Sequence, residues 1–158
     1  MAFFEADIGP QLTIVIEVAI AMVLGGLVGL ERELANKPAG FRTHMLVAAA
    51  AALFVGLSDI LVDRFDAATV PDILRVDPIR IVEAVVTGVS FLGAGTIFRH
   101  GRNDVVEGLT TAASLLLVSA IGVAVALNQL LLAAGVTLLT LLVLRVMTRV
   151  ETIARKRS

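Results

Sequence analysis

Two carboxylates stand inside long apolar stretches of this chain, and they have its clearest capacity for chemistry. Glu17 is the one charge in the run 12–30, and Glu83 lies a few residues into the run 81–98. A charged side chain at the bilayer centre costs about 2.5–3.5 kcal/mol on insertion scales, so such groups usually face a bundle interior or a wet cavity. Glu83 heads a stripe in which Thr87, Ser90 and Ala94 follow at i+4, i+7 and i+11, on one helical face. Ala84, Gly88 and Gly95 run beside it, while Val82, Val85, Val89 and Leu92 occupy the opposite face. The pattern has two readings. Glu83 is either a metal or proton ligand framed by hydroxyls, or a carboxylate that snorkels to the outer interface or pairs with Arg80. Glu17 lies at a comparable depth and could share a proton or a divalent ion with Glu83 if the two helices meet.

A second set of polar residues, Glu31, Arg32, Glu33, Arg42, Thr43 and His44, surrounds the turn Lys37-Pro38-Ala39-Gly40. Mixed charge there reads either as an ion-pair network fixing two helix ends or as a docking surface for a partner protein. Thr110 and Thr111 open a further apolar run. In a first helical turn they cap free N–H groups or help hold an anion. There are no cysteines, which removes disulfides, thiolate metal sites and cysteine nucleophiles. No nucleophile–base constellation, phosphate loop or nucleic-acid surface is present, so no catalytic residue, enzymatic activity or nucleic-acid partner is expected.

The elements that must position these groups are membrane helices. The chain is 58% hydrophobic and 17% charged over 158 residues, against roughly 45–50% and about 25% in ordinary globular domains. Its apolar runs are continuous rather than alternating, which specifies helices and not a barrel. The expected fold is all-α: a single polytopic domain, 1–158, of five transmembrane helices at about 12–30, 45–61, 81–98, 108–127 and 130–147, with a basic tail at 148–158. The loop 62–80 is too polar to span and has room for a short interfacial helix. Gly25, Gly29, Gly88, Gly93, Gly95, Gly108 and Gly122 are the candidate close-packing positions, because small residues let membrane helices approach closely. The first ten residues hold no Lys or Arg, unlike a secretory signal.

Charge orients the bundle. Arg32, Lys37, Arg42, Arg99, Arg102, Arg145, Arg149, Arg155, Lys156 and Arg157 fall on one side of a five-span arrangement, and only Arg64, Arg75 and Arg80 on the other. The positive-inside bias therefore puts the N-terminus outside and the C-terminus in the cytoplasm.

Four ordered motifs carry a family likeness. G-G-L-V-G-L-E-R-E (25–33), K-P-A-G-F-R-T-H (37–44), F-L-G-A-G-T-I-F-R (91–99) and G-L-T-T-A-A (108–113), followed by A-I-G (120–122), resemble the membrane domain of the MgtC/SapB family over about residues 12–147. The resemblance implies a bacterial inner-membrane protein linked to adaptation to low magnesium. It implies a regulator working through membrane partners such as the ATP synthase or, by the family's common label, a Mg²⁺ transporter; five short helices supply a wet path only with difficulty, so transport would call for a channel-like homo-oligomer. No cofactor follows from it beyond Mg²⁺ as ligand or substrate. The matching polar positions are Glu31, Arg32, Glu33, Arg42, Thr43, His44, Thr110 and Thr111. Glu17 and Glu83 rest on the reading of the residues themselves. Leu116 and Glu107 depart from the family pattern, and the cytoplasmic C-terminal domain of longer members is not among these 158 residues.

Overall fold

The computed structural model describes residues 8–66, 78–100 and 105–155. Five helices follow in order: α1 (Ile8–Leu34), α2 (Phe41–Asp66), α3 (Pro78–Gly95), α4 (Leu109–Ala126) and α5 (Leu130–Arg155). Between α3 and α4 stand two short strands, β1 (Phe98–His100) and β2 (Val105–Glu107). Three segments are long and apolar enough to cross a membrane: Ile8–Leu34, Phe41–Leu61 and Leu109–Ala126. The apolar part of α5 is Leu130–Val146. The helix continues through the expected tail to Arg155. Most of the loop proposed to hold an interfacial helix lies outside the described residues.

Helices α1, α2 and α4 form the centre, with α5 packed on α1 and α4, and α3 on α4 and α2. Glycine decides how closely the central three approach. A Cβ on Gly25 would come within 2.7 Å of the Ala48 side chain and 2.8 Å of the His44 carbonyl oxygen. One on Gly29 would lie 2.9 Å from both Gly40 O and Phe41 Cα. One on Gly122 of α4 would overlap the Ala48 carbonyl. Ala48, fully buried, is thus where backbone meets backbone across three helices. Around it Ala21, Val28, Ala52, Val118, Ile121 and Val125 close the core.

Two helix ends share one device. Asn36 and Asn128 adopt φ of 53° and 58°, a left-handed conformation that asparagine tolerates better than most residues. At the first, Asn36 N–H donates to Glu33 O and Lys37 N–H to Arg32 O. At the second, Asn128 N–H donates to Val125 O and Gln129 N–H to Ala124 O. Both are Schellman closures, which satisfy the last carbonyls and reverse the chain within a few residues.

The α3–α4 connection differs from the simple turn expected at 99–107. α3 stops at Gly95 rather than reaching Phe98, with Thr96 Oγ1 donating to Gly93 O at 2.8 Å. Phe98 pairs with Glu107, and Arg99 with Val106, in an antiparallel hairpin. Gly108, expected to pack helices, has another use. Its φ is 93°, and a Cβ there would strike the Thr96 carbonyl, so the residue lets the hairpin close against the end of α3.

Candidate functional site

The polar residues around the first turn divide into a buried set and an exposed set. His44, in the first turns of α2, is completely buried. Its Nδ1 lies 2.9 Å from Gly40 O, an atom that can only accept, so Nδ1 carries a hydrogen. Its Nε2 lies 3.0 Å from Ser114 Oγ on α4. Ser114 Oγ is also 2.8 Å from the Thr111 carbonyl. A hydroxyl has one hydrogen to give. With a neutral imidazole, Ser114 donates either to Nε2 or to Thr111 O. The ring is therefore a polar tie between α2 and α4, running through the seam made by Gly29, whose added Cβ would sit 2.8 Å from His44 Cβ.

Glu31 and Arg32 are also buried, at 9% and 2% exposure. Arg32 Nε stands 3.3 Å from Glu31 Oε2, yet neither atom makes a hydrogen bond. The contact is one of charge alone. Glu31 lines a cleft of about 370 Å³ with Arg145 on α5, walled by Leu27, Leu30, Leu34 and Leu141. Glu33 stays exposed and works as a cap. Its Oε2 accepts the Phe41 N–H at 2.8 Å, an otherwise unpaired donor at the start of α2. Arg42 and Thr43 are exposed at one end of a groove of about 850 Å³ between α2 and α3.

The threonine pair splits as well. Thr111 is buried under the His44–Ser114 link, while Thr110 is exposed beside a cavity of about 280 Å³ between α4 and α5. Neither caps the helix: the N-cap is Gly108, with no side-chain bond.

The two intramembrane carboxylates are not brought together. Glu17 is half-buried on α1 and feels the like charge of Asp59 on α2. Glu83 is exposed on α3, which packs on α2 and α4 rather than on α1. Of the two readings of Glu83, the structure has the one in which it faces outward. Its apolar face turns inward through Val85, Val89 and Gly93, and its small, hydroxyl-bearing face turns away from the bundle. Gly93 packs at 3.3 Å from Ala112 Cβ, whereas a Cβ on Gly88 or Gly95 would meet nothing within 4 Å. Those two glycines therefore do not serve packing within the chain. Among the described residues no three His, Asp or Glu side chains group to hold a metal. Mg²⁺ keeps several waters and needs near-octahedral geometry, and Glu83 on the open face of α3 is a poor fit for it.

Ser114 was missed by sequence reasoning. The one available signal is its place three residues after Thr111, on the same helical face; its partner His44 is 70 positions away.

The sequence model described as the MgtC family matches residues 18–153. Protein MgtC of Salmonella typhimurium is 41% identical over 80% of this chain and 49% of its own length. The putative magnesium transporter YhiD of Escherichia coli K12 is 39% identical over 84% of this chain and 59% of its own. An uncharacterized protein of Haemophilus influenzae is 39% identical over 78% of this chain and 49% of its own. The chain thus spans about half to three-fifths of the length of these relatives. No solved structure matches it.

Proposed function

This chain belongs to the MgtC family, and on that premise we propose that it is a five-span protein of the bacterial cytoplasmic membrane. In this reading it serves adaptation to low magnesium by binding membrane protein partners, with its N-terminus outside and its C-terminus in the cytoplasm.

Helix direction supports the five spans. His44 meets Ser114, and further along both helices Ala48 meets Gly122. α2 and α4 therefore run in the same direction. If both cross the membrane, the chain must return between them, and α3 is the segment available to do so. Val85 and Val89 of α3 pack with Val47 and Ala51 of α2 and Leu115 of α4, at the depth of the core. The tight turn at Asn128 then sends α5 back along α4.

The observation that carries regulation over transport is the separation of the carboxylates. Glu17 and Glu83 sit on helices that are not packed together. A hydrated cation therefore finds no pair of carboxylates facing one path through the bundle. The printed name of the Escherichia coli relative keeps transport as the competing reading.

Mg²⁺ flux into proteoliposomes of the purified protein separates the two. The expected result is flux no higher than in protein-free vesicles, unchanged by Glu83→Gln. Flux that Glu83→Gln abolishes would overturn the regulatory reading.

A further inference from the structure

A helix bathed only in lipid should turn bulky apolar side chains outward, but the outer face of α3 also holds Ala84, Thr87, Gly88 and Ala94 beside Phe91 and Leu92. Arg80, Ala84, Thr87, Phe91 and Ala94 recur at i, i+4, i+7, i+11 and i+14, which draws one straight seam along a helix. All five are exposed, Phe91 by 81%. Glu83 flanks the seam on one side, one turn deeper than Arg80. Gly88 flanks it on the other, at the groove between α2 and α3 that Arg80 and Ala84 also line, with nothing within 4 Å of an added Cβ. Among the described residues neither Arg80 nor Glu83 is in an ion pair within the chain.

We infer that this seam joins two copies of the chain, α3 against α3 about a two-fold axis along the membrane normal, with each copy's Arg80 paired to Glu83 of the other. The inference rests on the reading of α3 as a membrane span. It does not depend on whether the protein regulates or transports.

Charge complementarity selects a second copy as the occupant. Insertion gives every copy the same orientation, so two α3 helices meet in parallel with equal residues at equal depth. A two-fold contact must be self-complementary. A cation and an anion three residues apart on one face satisfy that requirement, because the long Arg80 side chain reaches the turn at which the other copy's Glu83 lies. An unpaired carboxylate facing lipid is costly, and the pairing removes the cost from both copies at once. Ala84 and Gly88 allow the backbones to approach, as small residues do in membrane helix pairs. Thr87 adds no unmet polar group, since its Oγ1 already donates to Glu83 O at 2.7 Å.

The test uses the absence of cysteine from the chain. Single cysteines at each position from 83 to 95 are cross-linked by oxidation in native membranes. Disulfide dimers should peak at Ala84→Cys, Thr87→Cys, Phe91→Cys and Ala94→Cys, and be lost at the inward Val85→Cys and Val89→Cys. In the Thr87→Cys background, Glu83→Arg should lower dimer yield severalfold, and adding Arg80→Glu should restore it. Cross-linking without this period, a yield indifferent to the charge reversal, or seam cross-links to a different protein would each overturn the proposal. Such a failure leaves the flux result untouched, and flux in proteoliposomes leaves the dimer untouched, so the two readings fail separately.

Discussion

His44 has two ring nitrogens and is completely buried, so its environment must supply both partners. Gly40 O takes one and Ser114 Oγ the other. Removing one side of such a link leaves a buried polar atom unpaired, which costs about 1–3 kcal/mol. Ser114→Ala should therefore lower unfolding stability in mild detergent by about that amount. His44→Ala should cost more, because packing against Gly29 is lost as well. The double variant should be less damaging than the sum of the two, with a coupling of about 0.5–3 kcal/mol for residues in direct contact. Strict additivity would show that the two side chains do not act as one unit. Glu31 and Arg32 belong to a different case. A buried ion pair is weak evidence for stability, since desolvating both groups offsets much of their attraction. Their burial beside the open cleft that reaches Arg145 places charge at the end of α1.

At the scale of elements, glycine separates two kinds of contact. Gly25, Gly29 and Gly122 lie where an added methyl meets backbone or a buried neighbour. Each, changed to Ala, should destabilise the fold by about 1–3 kcal/mol, the usual cost of overpacking. Gly135 has nothing within 4 Å of an added Cβ. Gly135→Ala should leave stability unchanged or raise it by up to about 1 kcal/mol through helix propensity. Thermal unfolding in detergent across the four variants checks the order, and a costly Gly135→Ala would contradict it. These helices were largely legible from residue patterns. Asn36 and Asn128 stand where polar turns interrupt apolar runs, and Gly25 and Gly29 are four apart on one face. The β1–β2 hairpin was not, because three-residue strands leave no alternation to read. The direction of α3 was hidden for a different reason. Sequence periodicity separates a small polar face from an apolar one but does not say which faces the bundle, and in lipid the aqueous rule of apolar inside does not decide it. Capping by Thr110 and Thr111 failed because Gly108 already closes the end of α4 through its backbone.

For the whole molecule, the number of crossings is the property on which orientation, dimer symmetry and partner access all depend. Three helices qualify by length and apolarity alone, and a three-span arrangement would also leave the C-terminus in the cytoplasm if the N-terminus is outside. A reporter after Ser158 tests the positive-inside assignment, and an extracytoplasmic reading there would overturn it, but it does not count the spans. Two internal positions do. With five crossings Arg102 is cytoplasmic and the Asn128 turn is outside. With α1, α2 and α4 alone crossing, both are reversed. α3, at 18 residues, is about 27 Å long, close to the roughly 30 Å of a hydrocarbon core, so length does not exclude it. The parallel run of α2 and α4 requires a return between them. In a chain without cysteine, Asn128→Cys should therefore react with a membrane-impermeant thiol reagent added to intact cells. Arg102→Cys should react only after the membrane is opened. The opposite pattern would mean that α3 lies along the bilayer surface and that α2 and α4 cannot both be spans in the arrangement their contacts define.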